Sequence, residues 1–136
     1  MTKVLIVILA FSVICTSCAS RKPLYDWGDY EDDLYAMYKN PEKSKEYQET
    51  LRLIIERCDE RGQRVAPGIR AEYGYCLYRE GKLDEAIVYF KKERETYPES
   101  FYLMNTLITS VERLKVDRDS NKEEPVAKPD RPMSED

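Results

Sequence analysis

The chain has 136 residues, 42% of them hydrophobic and 35% charged, enough for one compact domain and too few for two, which excludes a multi-domain enzyme. Its 22 Lys and Arg stand against 26 Asp and Glu, a net charge of -4, so no nucleic-acid partner is expected: phosphate binding needs a concentrated basic face. There is no histidine, which removes the commonest general base, the commonest metal ligand and every Ser-His or Cys-His nucleophile arrangement.

The first element is an address. Lys3 gives a positive start, Val4 to Ile14 is an apolar run broken only by Ser12, and Cys15, Thr16, Ser17 and Cys18 follow. At about 1.5 Å per residue the run reaches roughly 16 Å, half of what a membrane-crossing helix needs, so it reads as the core of a secretory signal. Thr16 and Ser17 directly before Cys18 resemble a bacterial lipobox, although Cys15 stands where such boxes carry Leu, Val or Ile. The resemblance implies cleavage after residue 17, acylation of Cys18 and, with Ala19 next, export to the outer membrane, anchored by lipid on its periplasmic face. An ordinary secreted protein is the alternative. Residues 18–23 are then a lipidated tether, 24–116 the folded domain, and 117–136, with 11 charged residues and three prolines, a disordered tail.

The domain opens on an aromatic leader. Tyr25, Trp27, Tyr30, Tyr35 and Tyr38 alternate with Asp26, Asp29, Glu31, Asp32 and Asp33, and the spacing from Asp29 to Lys39 fits a short helix capped by Asp29. Trp27 and Tyr30 are candidate partner-binding residues on an exposed platform; alternatively this helix folds back and seals the open end of a helical array.

Helical spacing continues from there. Tyr47, Leu51, Ile54, Ile55 and Cys58 form one stripe on a helix that starts at Pro41 and stops at Gly62. The next helices run from about Pro67 or Gly68 to Glu80, ended by Gly81, and from Asp84 to Tyr97, before Pro98. Ser100 is expected to cap a last one, with Met104, Leu107, Ile108, Val111 and Leu114 as its stripe. No alternating run argues for a strand, so the fold class is all-α.

Pro67 to Ser100 is 34 residues, and Gly74, Leu77, Gly81, Ala86, Phe90 and Pro98 resemble the landmarks of a tetratricopeptide unit. Arg70, Glu93 and Arg94 depart from that pattern, standing where apolar or small residues are usual. The resemblance implies a short array of antiparallel helix pairs whose first helices line a groove. On that face Tyr75, Tyr78 and Arg79 are candidate partner-binding residues, unless the tyrosines pack on the preceding helix.

Three segments, Pro23-Leu24-Tyr25-Asp26-Trp27-Gly28-Asp29-Tyr30, Pro67-Gly68-Ile69-Arg70-Ala71-Glu72-Tyr73-Gly74 and Tyr97-Pro98-Glu99-Ser100, resemble the signature blocks of a family of small Gram-negative lipoproteins of unknown function. That resemblance implies a place in an envelope assembly, with a curli-export-like lipoprotein and a second small lipoprotein as partners. It supplies no catalytic residues.

Cys58 and Cys76 remain for the domain. Their positions in an antiparallel hairpin differ by roughly 7 Å along the axis, which strains a disulfide, so two buried thiols are expected. Two cysteines without histidine make no zinc site, and no cofactor is expected. Without a phosphate loop or nucleophile elbow, no catalytic residue is assigned. The expected function is a non-catalytic protein-interaction scaffold, with a peptidoglycan hydrolase or an activator of a cell-wall enzyme as the alternative.

Overall fold

The computed structural model describes residues 23–123. The expected signal sequence, the expected acylation site Cys18 with the stretch up to residue 22 expected as its tether, and residues 124–136 of the expected tail lie outside the described residues. Within them the chain is all-α: α1 is Tyr30–Lys39, α2 Ser44–Glu60, α3 Ile69–Arg79, α4 Leu83–Thr96 and α5 Phe101–Glu123. Short 3₁₀ turns, Pro41–Lys43 and Pro98–Ser100, lead into α2 and α5.

Local chemistry sets the boundaries. The Asn40 side chain accepts from the Glu42 amide at 3.1 Å and starts the turn that Pro41 pre-shapes. α2 and α3 end alike: Gly62 and Gly81 take φ of +61° and +78°, which lets Gln63 donate back to the Cys58 carbonyl and Lys82 to that of Leu77. Tyr97 is extended, as the residue before Pro98 must be, and closes α4.

Two expected caps are not formed. Asp29 sits outside the extended region, so its carboxylate makes no capping bond and only its carbonyl accepts, from Asp33 at 3.0 Å. Ser100 already lies inside a helical turn, and its hydroxyl donates to the Tyr97 carbonyl at 2.7 Å instead of accepting from α5.

The helices pack mainly on their sequence neighbours, α1 on α2, α2 on α3, α3 on α4 and α4 on α5. One core joins Leu51, Ile54 and Cys58 of α2, Ile69 and Leu77 of α3, Ala86 and Phe90 of α4, and Met104, Ile108 and Val111 of α5. The α3–α4 crossing is the tightest, because Gly74 faces the Phe90 ring and the Ala86 carbonyl with no side chain between. At 25 cal/mol per Å², burying side chains such as Phe90 or Leu51 contributes about 2–3 kcal/mol each.

The last helix departs from expectation twice. Met104, Ile108 and Val111 are buried, but Leu107 is half-buried and Leu114 exposed, so the expected stripe is part core and part wall. α5 also continues to Glu123, seven residues beyond the expected end of the domain at Val116. An established helix adds residues at little cost, and Lys115 pairs with Asp84 while Arg118 reaches the Gly81 carbonyl, holding the extension against the start of α4.

Candidate functional site

Three helices shape one cleft. Tyr75 and Tyr78 come from α3, one turn apart on the side away from α2; Leu107, Ser110 and Val111 come from α5, and Phe90 of α4 is the floor. The cleft holds about 260 Å³, with the two tyrosine rings 5.9 Å apart. Tyr75 remains 50% exposed, whereas Tyr78 is half-buried. Leu103 and Leu114 continue the α5 wall, because steps of four, three and four from Leu103 through Leu107 and Ser110 to Leu114 keep to one side of a helix. Leu103 is 61% exposed and Leu114 38%, so the wall is apolar and open.

Arg79 is not part of this cleft. One residue beyond Tyr78 it is turned about 100° around the helix, and it lines a separate hollow of about 210 Å³ with Met37, Lys45, Gln48 and Cys76. The structure therefore brings Tyr75 and Tyr78 together and sets Arg79 apart, toward α1 and α2.

The leader packs onto the array. The Tyr30 hydroxyl donates to Glu72 of α3 at 2.9 Å, and the Tyr47 hydroxyl of α2 donates to the same carboxylate. Burial first, with the Glu72 carboxylate adding to it for Tyr47, pushes both phenols up, so they stay neutral donors. Asp26 accepts from Arg57 at 3.2 Å and Arg61 at 3.3 Å, and the Arg57 guanidinium holds its carboxyl below the usual range. Trp27 lies between Tyr25, edge to face at 6.3 Å, and Tyr30, tilted at 5.4 Å, and keeps 42% of its surface in solvent. Of the two leader candidates, Tyr30 is a strut and Trp27 a partly exposed lid.

Sequence reasoning missed one buried charge. Glu93 is 2% exposed; its Oε1 accepts the Gly68 amide at 2.6 Å, capping α3 from α4, while its Oε2 has no partner. Burial pushes its carboxyl up. Arg70 stands nearby, bound to Asp59 at 2.7 Å and Thr96 at 3.0 Å with its Nε unpaired. Both residues had departed from the repeat pattern, and two such departures on adjoining helices were the available signal. Arg94, the third, bonds Asn105 of α5.

Cys58 is buried and Cys76 half-buried, both as free thiols whose pKa burial raises, the opposite of an activated thiolate. Cys76 is thus less buried than expected, because it borders the Arg79 hollow. Among the described residues no group of three or more Cys, Asp or Glu side chains could hold a metal ion, and no helix is long and apolar enough to cross a membrane.

A family model described as a domain of unknown function, DUF4810, matches residues 24–107, from the leader into the first third of α5. No curated protein and no solved structure matches the chain.

Proposed function

Since the chain belongs to the DUF4810 family, whose description carries no activity, we propose from its geometry that it is a non-catalytic scaffold. Its short tetratricopeptide-like array docks an envelope protein, and acylated Cys18 anchors it to the outer membrane. The observation that carries this reading is the open apolar cleft between α3 and α5, where Tyr75, Leu103 and Leu114 remain exposed although the core beside them is closed. A folded chain gains nothing from leaving leucines in water along one wall of a cleft, and contiguous apolar surface of this kind is where partners bind.

The partner expected from the lipoprotein resemblance is the curli-export-like lipoprotein. Copurification of the two from detergent-solubilised envelope, followed by titration of the purified pair, tests it. Tyr75→Ser with Leu103→Ser removes two exposed side chains, so the fold is untouched and the contact is not. Hot-spot truncations of about 2 kcal/mol weaken binding roughly 30-fold. Unchanged affinity would remove the cleft from the account, and clearing of a peptidoglycan gel by the purified chain would overturn the non-catalytic reading.

A further inference from the structure

The cleft is not the only place where apolar groups meet solvent. The end of α2, the start of α3, the end of α4 and the start of α5 lie at one end of the bundle, and Pro23 enters there beside Arg61 and Gln63. The leader's Tyr25 sits beside Tyr97 at the α4–α5 turn, and the Tyr97 hydroxyl donates to the Val65 carbonyl of the α2–α3 connection. This one end exposes Leu24 by 82%, Tyr102 by 85%, Phe101 by 47% and Trp27 by 42%. Phe101 and Tyr102 stand edge to face at 5.6 Å.

We propose that this end of the bundle rests in the interfacial layer of a lipid bilayer, with Leu24, Trp27, Phe101 and Tyr102 inserted at headgroup level. The proposal rests on the reading of Cys18 as the lipid anchor. Leu24 is six residues from Cys18, a span of roughly 20 Å at full extension, so the anchor holds this end of the domain close to the membrane surface. Tethering makes the second contact intramolecular, so weak insertion is sufficient. Amphipathic rings suit the boundary between headgroups and acyl chains, which is where Trp and Tyr collect.

Charge points to an apolar contact and not to a polybasic one. Asp26 already pairs with Arg57 and Arg61, and exposed Arg64, whose guanidinium lies 5.9 Å over the Tyr97 ring, is balanced by exposed Glu60 and Glu99. Arg21 and Lys22, between Cys18 and Leu24, are two cations where polybasic binding takes a cluster of about four to eight, so docking should survive high salt, unlike attraction between basic clusters and anionic lipid.

Trp27 is the chain's only tryptophan and reports the contact directly. The full-length acylated chain, purified in detergent, is reconstituted into phosphatidylethanolamine and phosphatidylglycerol vesicles whose acyl chains are brominated close to the headgroup. Trp27 emission should shift to the blue and be quenched at low salt and remain so at about 1 M. Leu24→Asp with Tyr102→Asp, both on highly exposed side chains, should cut the quenching by about twofold or more with helical circular dichroism unchanged. Quenching that survives this pair, or that salt abolishes, overturns the proposal. Chain that floats with the vesicles while Trp27 stays unquenched also overturns it and leaves the anchor standing; chain that does not float overturns both. If Trp27 instead shifts only when the curli-export-like lipoprotein is added, this end is a protein contact and the proposal fails.

Discussion

Gly74→Ala tests the closest contact in the fold. A Cβ at Gly74 would lie 2.9 and 3.0 Å from two carbons of the Phe90 ring and 3.2 Å from the Ala86 carbonyl oxygen. The ring has little room to move, because Phe90 is 1% exposed, and the carbonyl belongs to the α4 backbone. In an exposed helix the same change would stabilise by up to about 1 kcal/mol through helix propensity. Overpacking a filled core costs about 1–3 kcal/mol, so the net is a loss of about 1 kcal/mol. For a domain of this size that lowers Tm by about 4–8 °C, read by a circular-dichroism melt of the helical signal. Phe90→Leu removes the ring atoms that clash, so Gly74→Ala should cost less in that background, a coupling of about 1 kcal/mol in a double-mutant cycle. Gly62→Ala is the control: φ of +61° makes it strained, yet nothing lies within 4 Å of its Cβ, so it should show no coupling to Phe90. A rise in Tm for Gly74→Ala, or strict additivity with Phe90→Leu, would refute the claim that α3 and α4 meet backbone against ring.

Two further outcomes follow from the charges. Burial raises the Glu93 carboxyl, so the folded state favours its protonated form: that contribution is fully present below the ordinary value of 4.5 and is lost as pH rises through the raised one. Glu93→Gln keeps an acceptor for the Gly68 amide without the charge, and should melt higher than the native chain at pH 7, with the gap closing as pH falls toward 4.5; a constant gap across that range would count against it. Asp26→Asn removes the pairs to Arg57 and Arg61, about 1 kcal/mol for two partly exposed contacts, and should release the leader without unfolding the bundle: Trp27 emission moves to the red while the helical melt barely changes. Because Arg57 holds the Asp26 carboxyl low, the native latch contributes above the ordinary carboxylate range and is lost only as pH falls through the lowered value.

The helix boundaries were legible because their signals are local and stiff. Gly62 and Gly81 end helices by a conformation other residues avoid, and Pro98 forbids the preceding residue from continuing one. The α3 wall of the cleft was legible for the same reason: Tyr75 and Tyr78 are one turn apart whatever the rest of the chain does. The α5 wall was not. Leu107 and Leu114 carry the same apolar signal as Met104 and Ile108, and only the presence or absence of a neighbouring helix on that side decides which are core. Composition alone read residues 117–123 as tail, and the carbonyl that Arg118 reaches from this segment belongs to Gly81, 37 residues earlier.

The two ends of the array are treated differently, and the difference bears on function. An array of stacked helices must cover the outer flank of its first helix or lose the stripe there to water. Here α1 does so with Leu34 and Met37, and a set of polar contacts fixes it: Tyr30 and Tyr47 on Glu72, Thr50 on Asp33, Asp26 on Arg57. On the α3-facing side of α5 no such cover exists among the described residues, yet leucines stand at 103, 107 and 114. Were that wall merely a surface, polar residues there would fold equally well, as they do at Thr106, Thr109 and Arg113 on the outward face of the same helix. Polar residues at Leu103 and Leu114 should therefore leave the melt unchanged and abolish partner capture, whereas a fall in Tm of several degrees would mean that the leucines serve the fold and the cleft is no docking site.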